Sequence, residues 1–194
     1  MIVDIKLEGI DKALAALRPE LYQKAIRRTI NDLMARSSNK AKRDVRQRYN
    51  IKAKQLNRYI KVRKASGNNL EARLSAMSRD ASLFHFINKS SISSSLKSKR
   101  RGKRPVKIKV LKQGGTHALR HAFVMIGRSG NIGIFERVVG VQSSTGKDKI
   151  RRLNTTGPAK MFDKAGVPAM QKYVEDNTHR VFQQNFDYYI GKEK

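Results

Sequence analysis

The chain has 194 residues, 39% of them hydrophobic, which is enough for one ordinary core with appendages and leaves little for a second domain. Its 43 Lys and Arg against 15 Asp and Glu give a formal net charge of +28, and this charge opposes compaction unless an anionic partner neutralises it. The absence of cysteine excludes disulfides and thiolate metal sites, and no apolar run reaches the roughly 20 residues of a membrane span. We therefore expect one soluble domain over residues 1–194, with no membrane partner.

A strand and a long helix are predicted at the start of the chain. Residues 2–7 alternate apolar and charged side chains, as in a half-buried strand, and residues 11–17 can form a short helix. Pro19 suits the first turn of a longer helix that runs to about Tyr49. Apolar or small residues recur every three or four positions in it and predict one buried stripe, formed by Tyr22, Ile26, Ile30, Leu33, Ser37, Ala41 and Val45.

A dense basic cluster covers the opposite face of this helix and the segment after it. Its members are Arg36, Lys40, Lys42, Arg43, Arg46 and Arg48, then Lys52, Lys54, Arg58, Lys61, Arg63 and Lys64, and only Asp44 offsets them. The later part of the cluster is predicted to form a short second helix and a strand at about residues 59–65, with another strand over residues 70–77 after a Gly-Asn-Asn turn. Charges on regular structure hold fixed positions and suit docking. The alternative is the solvated face of an amphipathic helix.

Residues 80–105 are predicted to be a flexible basic loop or insertion. Its second half combines serine repetition with a charge run and has no steady periodicity. The candidate contact residues here are Lys97, Lys99, Arg100, Arg101, Lys103 and Arg104, followed by Lys107 and Lys109 on the next strand. Such a segment can follow a phosphate backbone through counterion release, or it can be a loop that only aids solubility. The net charge of the whole chain favours contact with a polyanion or an acidic surface.

The second half of the chain reads as strands followed by a closing helix. Residues 106–110 alternate, residues 122–127 and 132–139 flank a polar glycine-containing turn as in a β-hairpin, and residues 150–153 form a further short strand. The last helix has a broad apolar face formed by Val167, Met170, Val174, Thr178, Val181, Phe182, Phe186, Tyr189 and Ile190. This order predicts an α+β fold, in which an antiparallel sheet with a firm β-hairpin is packed by one long N-terminal helix and one C-terminal helix.

No catalytic, cofactor or metal site is predicted. His117 and His121 are four positions apart but lack both a helical context and a third ligand. Glu175 and Asp176 are the only adjacent acids, and neighbouring helical positions do not converge on one ion. No nucleotide-binding glycine pattern or base-reading motif is present, so neither an enzyme nor a sequence-specific DNA reader is expected. Glu136-Arg137 could form ion pairs between subunits or, as slightly favoured, within the sheet.

Five segments in order resemble the prophage minor tail protein Z family of tailed bacteriophages. They are RRTINDLMARSSNKAKRDV, YNIKAKQLNRYIKVRKAS, AFVM, GNIGIFERV and VPAMQKYVEDNTHRVFQQNF, and the resemblance covers nearly the whole chain except about residues 90–104. It implies a structural virion protein without enzymatic activity that completes the tail. It also implies an α+β fold assembled as a ring, commonly a hexamer, at the head-proximal end of the tail. The hairpin is then the signature of the fold, and the basic helix-strand region is a contact surface.

The partners implied by this resemblance are other copies of the chain, neighbouring neck and tail proteins, and the phage DNA end. The protein would assemble in the host bacterial cytoplasm and reside in the virion tail or neck. DNA that slides through a ring should not be gripped tightly, so we expect much of the charge to dock acidic proteins, with Lys97–Arg104 touching the DNA end. The alternatives are a monomeric, non-specific nucleic-acid-binding protein and, less favoured, a metal-dependent phage nuclease.

Overall fold

A computed structural model describes most of the chain. The described residues are 2–5, 19–87, 92, 105–127, 130–142, 144 and 146–192. The predicted short helix at residues 11–17 and the charge run Lys97–Arg104 lie outside them. The predicted α+β class is confirmed, with two long helices and small antiparallel sheets.

The chain divides into two compact units. The first, here called the helical unit, consists of residues 1–45, 56–78 and 159–194, and the second, the β-rich unit, of residues 46–55 and 79–158. The helices are α1 (Pro19–Arg48), α2 (Ala53–Arg58), α3 (Pro158–Met161) and α4 (Val167–Gly191), with a 3-10 turn at Leu83–Phe86 and a π turn at Phe162–Gly166. The action of both units as the single expected domain stays a prediction. Among the described residues, no helix has the length and the apolar character that a bilayer crossing requires.

The described strands form four small antiparallel sheets instead of the single sheet that we expected. They are β1 (Ile2–Ile5), β2 (Ile60–Arg63), β3 (Ala72–Ala76), β4 (Ala81–Ser82), β5 (Val106–Ile108), β6 (His117–Leu119), β7 (Ala122–Ile126), β8 (Ile132–Gln142), β9 (Asp148–Arg152) and β10 (Asn154–Thr155). The helical unit contains the sheet β1-β3-β2, and the β-rich unit contains β10-β4, β5-β6 and β7-β8-β9. All of these strands except β8 have five residues or fewer, which is short for strands of globular proteins.

The buried stripe predicted on α1 is confirmed at all seven positions. In its second half the stripe contains serines, whose hydroxyls satisfy themselves on the helix backbone. Ser37 Oγ donates to the Met34 carbonyl at 3.3 Å, and Ser38 Oγ donates to the Ala35 carbonyl at 3.0 Å. These local bonds let small polar residues be buried without an unpaired hydroxyl, so other elements of the helical unit can approach α1 closely.

Two contacts join α4 to α1 inside the helical unit. Asn185 is only 6% exposed, and its Nδ2 donates to Thr29 Oγ1 and to Asp32 Oδ2, both at 3.2 Å. The rings of Tyr22 and Phe182 meet edge to face, with their centroids 6.1 Å apart. A buried amide that reaches two partners fixes the register of one helix against the other, because sliding would leave polar atoms buried and unpaired.

The hairpin β7-β8 is confirmed and lies at the core of the β-rich unit. Val124 is opposite Ile134 in the register, and both side chains are buried. They belong to a cluster that also contains Leu83, Val106, Ile108 and Ala122. Alternation places one face of the hairpin on this cluster, as the sequence pattern predicts.

The expectation of a flexible loop beginning at residue 80 is wrong for its first part. Residues 81–82 form β4 against β10, and the 3-10 turn follows, with the Ser82 hydroxyl accepting from the Phe84 N–H. Leu83 and Phe86 are buried in this turn. The segment adopts this structure because its apolar side chains are buried in the core. The serine-rich, charged residues that follow it in the sequence led us to predict a loop instead.

Gly166 ends the π turn before α4, and we predict that adding a side chain at this position destabilises the protein. A Cβ at this position would lie 2.6 Å from Cδ1 of Phe162, whose ring is fully buried. We expect Gly166→Ala to lower the free energy of unfolding by about 1–3 kcal/mol relative to Gly191→Ala. Gly191 has open space around its Cβ position and also lies in a helix, so it serves as the control. Urea denaturation of both variants measures the difference, and equal midpoints would contradict the clash.

Candidate interaction surfaces

The structure separates the predicted contact residues into two groups, one in each unit. Arg43, Arg58, Lys61, Arg63 and Lys64 belong to the helical unit, and Arg46, Lys52, Lys54, Lys107 and Lys109 belong to the β-rich unit. The remaining predicted residues, Lys97, Lys99, Arg100, Arg101, Lys103 and Arg104, lie outside the described residues. The described contact residues therefore belong to two separate units, and each unit is considered by itself.

In the helical unit, what we call the basic edge consists of Arg58 at the end of α2, Lys61 and Arg63 of β2, and Lys64 directly after β2. All four side chains are exposed. Strand β2 is an outer strand of the described sheet β1-β3-β2, because its only strand partner there is β3. Charged side chains on an outer strand also discourage pairing with other chains, so the array has a structural role as well as a capacity to bind anions.

The register of the sheet places two guanidinium groups opposite each other. Arg63 of β2 is the Cα partner of Arg73 of β3, and like charges in directly opposed positions are destabilising. Arg73 is held by Glu71, whose carboxylate lies 2.8 Å from the guanidinium. The glutamate thereby offsets one of the two charges, while Arg63 remains exposed at the edge. The fold thus keeps Arg63 despite an unfavourable neighbour.

The second half of α1 adds a row of cations to the helical unit. Arg36, Lys40 and Arg43 are exposed and spaced by four and three residues, so they share one face. Lys40 Nζ lies 3.4 Å from Asp44, the one acid of this region. Like charges at this spacing weaken a helix by a few tenths of a kcal/mol, so helix stability does not explain the row.

In the β-rich unit, three of the predicted lysines come together around a cavity of about 490 Å³, and two predicted residues do not. Lys52, Lys107 and Lys109 line the cavity, whereas Arg46 and Lys54 are not among its lining residues. Lys107 and Lys109 were predicted to continue the contact made by the basic loop. The sequence carries no signal for the cavity itself, because the lining residues come from segments that are far apart in the chain.

The β8-β9 ribbon exposes apolar side chains that were not predicted as a surface. Val139 is 94% exposed, and Val141 and Ile150 are also exposed. Two ion pairs brace the strands, one between Glu136 and Arg151 and one between Arg137 and Asp148 at 3.5 Å. Glu136 and Arg137 thus each form an ion pair within the sheet, which is the alternative that the sequence slightly favoured. The run of valines after the end of the alternation was the available signal for an exposed apolar ribbon.

Near the end of α4, the partly exposed ring of Tyr188 is contacted by two cationic side chains. Cζ of Arg28 lies 4.3 Å from the centroid of the Tyr188 ring, and Lys192 Nζ lies 4.8 Å from it. Hydrogen bonding to Lys192 and then to Arg28 lowers the pKa of the Tyr188 phenol below its usual value. The broad apolar face predicted for this helix is buried at Met170 and Val181, and elsewhere it is only half-buried or exposed.

The histidines and acids that were weighed as metal ligands are exposed. His117 lies on β6 and His121 follows β6 in the turn before β7, while Glu175 and Asp176 lie on α4. Among the described residues, no group of three or more His, Asp or Glu side chains is arranged to hold a metal ion.

Comparison with known proteins finds no relative from which a function of these surfaces could be inferred. No protein-family model, no curated protein and no solved structure matches the chain. The assignment of the chain therefore depends on its own residues and on the five sequence segments quoted above.

Proposed function

We propose that the chain is a structural protein of a tailed-phage virion, without enzymatic activity, that completes the tail as a ring at its head-proximal end. The observation that carries the proposal is the basic edge, a set of four exposed cations on a short helix, on an outer strand and directly after that strand, in a chain with a net charge of +28. Fixed cations on a folded surface suit docking onto acidic surfaces of neighbouring neck and tail proteins. The resemblance to the minor tail protein Z family supports the same function.

Apolar contacts between copies have to offset the repulsion between their charges if the chain is to form a ring. Copies with this charge repel one another, so acidic neighbours or DNA that neutralise part of it would make the ring more stable. The exposed valines of the β8-β9 ribbon supply apolar area of the kind that subunit interfaces bury. We infer that this ribbon contacts the neighbouring copy in the ring, while the basic edge contacts an acidic protein.

The ring is tested by changing the most exposed valine. Val139→Asp is expected to weaken self-association about tenfold or more, because it places a charge in a desolvated contact. The unfolding midpoint should be unchanged, since the Val139 side chain is almost fully exposed in the free chain. Native mass spectrometry over a concentration series measures association, and electron microscopy of purified particles locates the chain at the neck.

The control for this experiment is Ser144→Asp, which adds one negative charge at an exposed position in the turn between β8 and β9 without removing apolar area. It should associate nearly as well as the unmodified chain. A chain that stays monomeric at every concentration and is missing from purified particles would refute the ring.

The second candidate is a monomeric protein that binds nucleic acid without sequence preference. The exposed cations of the basic edge favour it, since lysines and arginines at fixed spacing can contact successive phosphates. It differs from the first candidate in expecting neither self-association nor particle incorporation.

A further inference from the structure

The geometry points to a binding pocket for a nucleoside phosphate inside the β-rich unit. The cavity of about 490 Å³ falls within the roughly 300–1,000 Å³ that is usual for small-molecule sites. Its lining combines polar residues, among them Lys52, Lys107 and Lys109, with apolar ones, among them Phe84, Phe86 and Ile108. A site with both characters suits a ligand that is anionic at one end and apolar or planar at the other.

The ionic charges among the described lining residues are all positive, apart from the histidine, His85, whose ring is treated as neutral. Lys52, Lys107 and Lys109 are the lysines of the lining, and its described residues include no Asp or Glu. Cations that gather at a cavity without a local acid repel one another, and an entering anion relieves that repulsion. Ammonium groups are common partners of phosphate oxygens, with charge-assisted hydrogen bonds about twice as strong as neutral ones.

Hydrogen bonds between the segments hold the walls in place. Asn50 Nδ2 donates to the Lys109 carbonyl at 3.1 Å, and the Asn50 N–H donates to the Val110 carbonyl at 2.8 Å. The Lys109 N–H donates to the Phe86 carbonyl at 3.0 Å, and Ile87 bridges to Ile108. The walls formed by these described segments are therefore held in place without a ligand, which reduces the entropic cost of binding.

The histidine in the lining is held in one tautomer. Gln55 Oε1 accepts from the Lys52 N–H at 3.4 Å, so the amide turns its Nε2 towards His85 and donates to Nδ1 at 2.8 Å. Since Nδ1 accepts this bond, the neutral ring carries its proton on Nε2. The side-chain amides of Gln55 and Asn50 are thus engaged with the protein itself.

The hydrogen bonds that the Asn50 and Gln55 amides make to the protein affect how well the pocket can tell one base from another. Reading a base edge requires amide or guanidinium groups that are available to pair with it, and two of the amides here are committed. Phe84 offers an aromatic ring, and stacking on a ring tolerates any base. We therefore assign the phosphate to the lysines and the base to the apolar residues of the lining, with little preference among bases.

The test is calorimetric titration of the full chain with deoxyadenosine monophosphate, inorganic phosphate and deoxyadenosine at low salt. The nucleotide is expected to bind about tenfold or more tightly than either part alone. The double substitution Lys107→Ala and Lys109→Ala should weaken nucleotide binding by about tenfold or more. Phe84→Leu keeps apolar volume but removes the ring, so it should weaken nucleotide binding and leave phosphate binding unchanged.

The matched control is the double substitution Lys147→Ala and Lys149→Ala, which removes the same charge from exposed positions in the same unit that do not line the cavity. It should leave nucleotide binding within about twofold. Equal loss in the two double variants, or a nucleotide that binds no better than inorganic phosphate, would overturn the pocket.

A further arm of the experiment separates the two sources of a nucleoside phosphate. A short single-stranded oligonucleotide is titrated with and without a 5′-terminal phosphate. Tighter binding of the phosphorylated strand identifies the end of a nucleic acid as the ligand, and equal binding identifies the free nucleotide. The pocket does not require the chain to be a virion protein, so it can be upheld even if the proposed ring is refuted.

Discussion

Replacement of Phe86 by alanine is expected to lower the free energy of unfolding by about 3–5 kcal/mol. The ring is 1% exposed in the β-rich unit, and its removal leaves a cavity that the surrounding side chains cannot fill completely. Urea denaturation followed by circular dichroism measures the change. A loss of this size is a large share of the stability of an ordinary domain, so the variant would be partly unfolded at elevated temperature.

The neighbouring aromatic residue provides the comparison. Phe84 lies in the same 3-10 turn but is half-buried, so Phe84→Ala should cost clearly less. If residues 80–105 formed one flexible loop throughout, both substitutions would stay within about 0.5 kcal/mol, as surface changes usually do. That result would contradict the burial of this turn.

The helices were predictable because their signals are local and repeated. The stripe on α1 recurs along the whole helix, and Pro19 begins the helix where its missing N–H has no consequence. The hairpin was also predictable, since two apolar strands enclose a short polar turn. Each of these patterns can be recognised within a window of the sequence, without knowledge of distant contacts.

The ordering of the 3-10 turn and the division into four sheets could not be predicted in the same way. Leu83 and Phe86 become ordered through contacts with segments that follow much later in the chain, such as β5 and the residue after it. The serine and charge run after them has the composition of a loop, and it led us to extend the loop too far towards the N-terminus. Sheet division depends on which short strands find partners, and propensity alone does not decide that.

The sequence predicted individual contact residues but not how the fold groups them into surfaces and cavities. The four cations of the basic edge are exposed, as charge counting leads one to expect, because lysine and arginine are rarely buried. Charge counting could not show that Lys52 and Lys107 line one cavity, since they are brought together only by the fold of the β-rich unit. The exposed valines of β8 were missed for a related reason, because an apolar strand residue is normally assumed to be buried.

Charge reversal of the basic edge is the second large effect that we expect. The triple substitution Lys61→Glu, Arg63→Glu and Lys64→Glu should reduce incorporation of the chain into particles about a hundredfold or more, because acidic neighbours would then face acids. The fold should persist, since a glutamate at position 63 lies opposite Arg73 and replaces a repulsive pair by an attractive one. Quantitative mass spectrometry of purified particles measures incorporation.

The matched control is the triple reversal Lys160→Glu, Lys164→Glu and Lys172→Glu, which lowers the net charge equally on exposed positions of the same unit. It should retain incorporation, because the total charge is the same and only the location differs. The salt dependence of duplex DNA binding then separates the two candidate functions. Removing one lysine or arginine that neutralises a phosphate lowers the slope of log affinity against log salt by about 0.9. If the unmodified chain is absent from purified particles and only the edge variant shows a reduced slope, the basic edge contacts nucleic acid and the tail proposal fails.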